Sequence, residues 1–301
     1  MPTCERDGHV IHYEIAGPTE APPLLLIMGL GLSSRAWDRL PARLAERFHV
    51  ISFDNRGTGR SRHGNGRRRQ LLHMRELADD AAAVLRAVGV RPRAVVKGAG
   101  EPDGGDDREA GGALVFGVSM GGMIAQELVL RHPEMVRSLV LGATFGSWWR
   151  SRRPTQRVVL DLLLASLFPR QAARRLPRVL VSAAFHEARP RELGRWLAGA
   201  EHGGVRTMVA QMAAIVRHST IERLARIEVP TLILTGEADA LVPADNSRVL
   251  AELIPGARLV LLPGAGHLFP LECEDATVAA IEEHFLGGAG RGRSATEPRG
   301  S

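Results

Sequence analysis

Lysine is almost missing from this 301-residue chain: of 39 basic residues, only Lys97 is not an arginine. Such a bias reads as a GC-rich coding sequence rather than a surface selected for charge, so the formal net charge of +6 says little about partners. Aromatic residues are also scarce, at 4%. Nucleic-acid recognition needs basic clusters beside stacking rings or within a known module. The clusters at Arg67–Arg69 and Arg150–Arg153 have neither, and no nucleic-acid partner is expected. Cysteine occurs only as Cys4 and Cys273, at opposite ends of the chain. That pair makes no metal-ligand spacing and no disulfide framework, which fits a reducing compartment. No apolar run approaches the ~20 residues needed to span a bilayer. The longest, Pro22 to Leu32, has the length of a strand and ends in glycines. The first eight residues carry Glu5, Arg6 and Asp7 where a signal peptide would be apolar. A cytoplasmic protein with no membrane partner is the expectation.

With 45% hydrophobic and 24% charged residues, the composition is that of an ordinary globular chain. Short apolar runs alternate with helical patterns, which predicts an α/β fold on a mainly parallel sheet. Strands are expected at Pro23–Met28, Val50–Phe53, Ala113–Val118, Val136–Leu141, Thr231–Thr235 and Arg258–Leu262. Helices are expected over Glu76–Val88, Met120–Leu130 and Asp275–Leu286. Two stretches break the alternation. Residues 145–226 carry only helical patterns, such as Val158–Phe168 and Val205–Val216, and read as an all-helical insertion between 1–144 and 227–286. Residues 97–112 are rich in glycine and acidic residues and read as a flexible surface insertion. The tail 287–301 offers nothing to bury and is expected to be disordered.

The strongest chemical signal is Gly117-Val118-Ser119-Met120-Gly121, set between a buried strand and an amphipathic helix. A G-x-S-x-G turn in that context is a nucleophile elbow. The glycines remove side chains from a turn that folds back on itself, Ser119 rises at a helix N-terminus, and the Met120 N–H points where an oxyanion would form. A plain turn with a capping serine is the simpler alternative.

A serine hydroxyl needs a base. Most of the eleven histidines, such as His132 and His284, are explained as surface residues; His267 differs. It lies in Pro263-Gly-Ala-Gly-His267, directly after a strand, where glycines permit close approach. The base in turn needs an acid to fix its tautomer. Asp239 follows the strand at Thr231–Thr235 and fills that role, with Glu237 as a nearby rival and capping of a helix near Pro243 as the plainer alternative.

The order Ser119, Asp239, His267, with the strand context of each, resembles the α/β-hydrolase superfamily over roughly residues 9 to 286. Leu26-Ile-Met-Gly-Leu-Gly31 is similar to its oxyanion loop, and Phe53-Asp-Asn-Arg-Gly-Thr-Gly-Arg-Ser61 to its turn after the fourth strand. The resemblance implies that the Leu30 N–H is the second oxyanion donor and that 145–226 is a lid. Met28-Gly29 stands where many relatives have His-Gly, a departure that leaves the backbone donor in place. The 97–112 insertion is a second departure. By position in such a lid, Trp148 and Trp149 are expected to bind a medium-sized, mainly apolar substrate.

The implied activity is that of a serine esterase, thioesterase or lactonase needing no metal and no cofactor. A perhydrolase, acyl transferase or cyclase on the same triad is the near alternative, and a non-catalytic ligand-binding protein of the same fold the distant one. Dehalogenases and epoxide hydrolases of this fold place Asp at the elbow, which this chain does not. A dinucleotide site is imitated by Gly29, Gly31 and Asp54, but Ser34 replaces the third glycine. The sequence leaves the oligomeric state open.

Overall fold

The computed structural model describes residues 2–62, 71–94, 111–167 and 169–287. Most of the expected 97–112 insertion and all but the first residue of the expected 287–301 tail lie outside them. Eight strands form one sheet: β1 (Thr3–Arg6), β2 (His9–Ala16), β3 (Pro23–Ile27), β4 (His49–Phe53), β5 (Ala113–Val118), β6 (Val136–Gly142), β7 (Thr231–Gly236) and β8 (Arg258–Leu262). Their order is β1-β2-β4-β3-β5-β6-β7-β8. β1 and β2 pair antiparallel with each other, and β2 pairs antiparallel with β4; every other pairing is parallel. The first two strands escape a periodicity reading because His9–Ala16 mixes His12, Tyr13 and Glu14 into its apolar pattern and is only partly buried.

The helices are α1 (Leu40–Leu44), α2 (Met74–Ala87), α3 (Met120–Arg131), α4 (Gln156–Leu167), α5 (Pro169–Leu180), α6 (Ala183–Ala188), α7 (Pro190–Gly199), α8 (Val205–Arg217), α9 (Asp245–Leu253), α10 (Phe269–Glu272) and α11 (Glu274–Leu286). Side chains alternate across a strand. Thus Leu25 and Ile27 join the apolar layer that holds α2 and α3, while Leu24 and Leu26 join the layer that holds α1 and α11. With both faces covered, β3 and β5 are continuous apolar runs, as buried parallel strands must be. α3 is buried from Met120 to Val129 and ends where Pro133 removes a helical N–H. Between β6 and β7 the chain contributes α4 to α8 and a 3-10 turn at Ile221–Arg226, and no strand among the described residues. Nor is any helix among them long and apolar enough to cross a membrane.

The strand order reverses at β3, whose neighbours β4 and β5 run off to opposite sides. The loops that leave β3 and β5 therefore diverge and open a crevice at the carboxyl edge, the place where open α/β sheets build their sites.

Two histidines carry a stability prediction. His218, at the end of α8, is held down to about 3 by burial and by the nearby Arg223 guanidinium. His284, placed on the surface by sequence, is instead part-buried against the Ser138 hydroxyl and is lowered to about 4 by burial and by Arg258. Both bind a proton more readily in the unfolded chain, so stability is fully present above the unfolded value near 6.5 and is lost as the pH falls towards the folded values. Each group removes on the order of 1.4 kcal/mol per pH unit across its window. Urea unfolding between pH 7 and 4 should show the slope, and His218→Leu should flatten it.

Candidate active site

Ser119 begins α3 in a backbone conformation, φ 57° and ψ −122°, that non-glycine residues rarely adopt. The strain is held by a ring of close contacts. The Ser119 N–H donates to the Gly142 carbonyl at 2.8 Å, and the Thr144 hydroxyl donates to the Ser119 carbonyl at 2.7 Å. A Cβ on Gly117 would lie 2.3 Å from the Gly121 oxygen, and one on Gly121 would lie 1.9 Å from the Ile27 oxygen. A side chain at Gly117 would therefore push β5 away from the first turn of α3, and one at Gly121 would push that turn away from β3. The Ser119 side chain makes no capping hydrogen bond to its own helix, so the capping alternative does not describe it. Its hydroxyl is left for other use.

On the far side of β6, the turns after β7 and β8 touch. A Cβ on Gly236 would meet the Gly266 oxygen at 2.2 Å and the Ala265 oxygen at 2.3 Å. The Ala238 N–H donates to the Ala265 carbonyl at 2.9 Å. This contact brings Asp239 and His267 together: His267 Nδ1 lies 2.8 Å from Asp239 Oδ2, both side chains being buried. The other carboxylate oxygen, Oδ1, accepts the N–H groups of Leu241 and Val242, each at 2.8 Å. Asp239 is thus fixed in its own loop and caps no helix, since α9 is capped at Ala244 without a side chain. Glu237 points to solvent.

The loop after β3 runs along the elbow. Gly29 is pressed on Ser119: a Cβ there would lie 3.2 Å from Ser119 Cβ and 3.7 Å from its Oγ. Leu30 follows directly, so its amide belongs to the peptide next to the serine. The turn after β4 braces this loop. Asn55 Nδ2 donates to the Met28 carbonyl at 3.1 Å. The wholly buried Asp54 accepts the Ser34 N–H at 2.7 Å and the Arg60 N–H at 2.8 Å. With its oxygens occupied in this way, Asp54 is not available to hold ribose hydroxyls, and the dinucleotide alternative loses its acid. A cavity of about 30 Å³ lined by Met28, Val118, Trp37, Trp196 and Leu268, and not by Ser119, Asp239 or His267, has room for one water.

Trp148 is half-buried, with its ring 6.1 Å from that of Phe145, while Trp149 is 69% exposed. The Arg153 guanidinium lies over both rings, 5.6 Å from Trp148 and 5.4 Å from Trp149. Neither tryptophan lines that small cavity; Trp196 does, with its Nε1 donating to the Ala36 carbonyl at 2.8 Å. No local pattern marks Trp196, because its partner is 160 residues away. Trp148→Ala is therefore expected to lower the melting temperature by several degrees, and Trp149→Ala by about 1 °C or less, the usual range for an exposed position. A chain-length profile of kcat/KM beside each melt separates packing from substrate contact.

A sheet of this order, with a strained serine turn after β5, a buried Asp–His pair after β7 and β8, and a glycine loop after β3, defines one class of protein. The model of the alpha/beta hydrolase family matches residues 24–280, and the chain belongs to that family of enzymes. Among its relatives is a protein of Azorhizobium caulinodans provisionally named carbamate hydrolase RutD, 31% identical over 96% of this chain and 98% of that one. Rhodomycin D methylesterase DauP of a Streptomyces species is 33% identical, over 94% of this chain and 98% of its own. Of solved structures, the enol-lactonase of Burkholderia xenovorans LB400 superposes with a TM-score of 0.76 at 23% identity, covering 95% of this chain and all of the other, and speaks for the fold.

Proposed function

We propose that this chain is a serine hydrolase that cleaves a carboxylic ester, thioester or lactone through an acyl-enzyme on Ser119, with 145–226 as a cap over the site. The observation that carries the reading is the buried 2.8 Å contact between His267 Nδ1 and Asp239 Oδ2, in a chain whose elbow serine makes no cap bond through its hydroxyl. Asp239 holds His267 in the tautomer that leaves Nε2 free to take a proton. Ser119 Oγ attacks the carbonyl carbon while His267 Nε2 takes the hydroxyl proton. The oxyanion that forms is held by the N–H groups of Met120 and Leu30. The tetrahedral intermediate collapses, the bond to the leaving group breaks, and His267 returns the proton to it. Water then adds to the acyl-enzyme with the same proton relay and frees Ser119 and the acid.

The relatives named above are hydrolases of a methyl ester and, provisionally, of a carbamate, both of which present a carbonyl to this machinery. A carbamate would pass through a carbamoyl-enzyme on the same serine, and the names favour it as the second reading. A fluorophosphonate probe should add one adduct per chain on the peptide holding Ser119. A panel of p-nitrophenyl esters, thioesters, lactones and aryl carbamates then ranks the carbonyl classes. Turnover of the panel by a chain that the probe does not label at Ser119 overturns the reading.

A further inference from the structure

The cap segment grips the loop after β3 most fully at Gly31. Gly31 spends both of its backbone polar groups on that segment: its N–H donates to Gln211 Oε1 at 2.8 Å, and its carbonyl accepts the Gly203 N–H at 2.8 Å. Its φ of +70° suits glycine. The space where a Cβ would stand is taken by Met208, whose Cε would be 2.4 Å away. The next residues are held too, since the Ser33 N–H donates to the Glu201 carbonyl at 3.0 Å.

The peptide N–H of Leu30 thus lies between two amide side chains. Asn55 pins the carbonyl of Met28 on one side and Gln211 pins the N–H of Gly31 on the other. The two pins differ in origin. Asn55 belongs to the sheet's own turn after β4, whereas Gln211 sits on α8 of the helical insertion, 180 residues from its partner. Gln211 is completely buried, and its Nε2 meets no acceptor among the described residues. An unpaired amide donor in a buried site is costly, and a methionine would fill about the same volume without that cost. Packing alone does not account for a glutamine here; the bond from Gly31 does.

We propose that Gln211 is a positioning residue for the oxyanion hole, acting through Gly31 to aim the Leu30 N–H, so that the cap completes the catalytic geometry and does more than cover it. The proposal rests on the serine-hydrolase reading above. Removing one oxyanion donor outright costs on the order of 10²–10³ in kcat. A donor that remains but loses its alignment costs less, and Gln211→Met is expected to lower kcat by about 10–100-fold with KM changed no more than about threefold.

Gln211→Glu supplies a readout that a structural role would not move. It keeps an oxygen acceptor for Gly31 at the same reach, so kcat at low pH should exceed that of Gln211→Met. Burial raises the pKa of the new carboxyl. As it ionises, its negative charge opposes the developing oxyanion, and the kcat profile gains an alkaline limb that wild type lacks. Where Gln211→Met does not fold, this isosteric variant decides alone.

The experiment is a set of kcat and KM profiles from pH 6 to 9 for wild type, both variants and Ser119→Ala on one activated ester. Full turnover in Ser119→Ala would sink the serine-hydrolase reading itself. With Ser119→Ala inactive, a Gln211→Met kcat within threefold of wild type, or a Gln211→Glu profile parallel to wild type, overturns the assignment of Gln211 alone.

Discussion

Ser119→Ala is expected to lose on the order of 10⁴ or more in turnover while melting within a degree or two of wild type. The two halves of that result have separate causes. The hydroxyl is the only atom removed, and without it no acyl-enzyme forms; what remains is the modest acceleration that an oxyanion hole and binding give to direct attack by water. Stability is spared because Oγ makes no capping bond to α3, and the bonds that hold the elbow are to the backbone of residue 119, which alanine keeps. The positive φ is no worse for alanine than for serine. Steady-state turnover with an activated ester, fluorophosphonate labelling and a thermal melt check the three parts. Undiminished esterase activity in the variant removes the nucleophile from Ser119.

Asp239→Asn is expected to cost on the order of 10³–10⁴ in kcat with little change in KM. The carboxamide can still accept the Leu241 and Val242 N–H groups through its oxygen, so the loop should hold. Its NH₂ then faces His267 Nδ1, where the carboxylate oxygen stood. A donor in that place selects the tautomer with the proton on Nε2, and a protonated Nε2 cannot act as the base. Loss of the negative charge also leaves the imidazolium without a partner during the reaction. Glu237→Gln, at a residue that points to solvent, should stay within about twofold of wild type. If Glu237→Gln proves the damaging change and Asp239→Asn the mild one, the acid has been misassigned.

Some of this protein is written locally. β3, β5, β6 and β7 are short runs of Leu, Val and Ile because both faces of each strand are covered, and burial on both sides leaves a mark that needs no knowledge of the partners. Gly117 and Gly121 are legible for a similar reason: a turn that brings its own backbone within reach excludes side chains at fixed offsets, and the offsets are in the sequence. Ser119, Asp239 and His267 could each be found as a polar residue just past a strand, since parallel strands deliver such residues to one edge.

Tertiary structure decided what depends on contacts far along the chain. The sequence favours Asp239 over Glu237, but the contact itself, His267 with Asp239, follows from the touching of the turns at Gly236 and Gly266. Asp54 imitates the acid of a nucleotide fingerprint that Ser34, in place of the third glycine, already argues against, and its oxygens hold the Ser34 and Arg60 N–H groups instead. Trp149 lies in the open and Trp196 beside the cavity, although nothing in their neighbours distinguishes them. α8 turns Thr207 and Gln211 inward and leaves Val205 and Val209 exposed, the reverse of what its composition suggests, because the loops after β3 and β4 present the Gly31 N–H and the Gly57 carbonyl, backbone groups that need polar partners. Apolar burial leaves a periodic trace in the sequence; the pairing of one buried polar group with another across the fold leaves none, and the fine geometry of this site is built from such pairs.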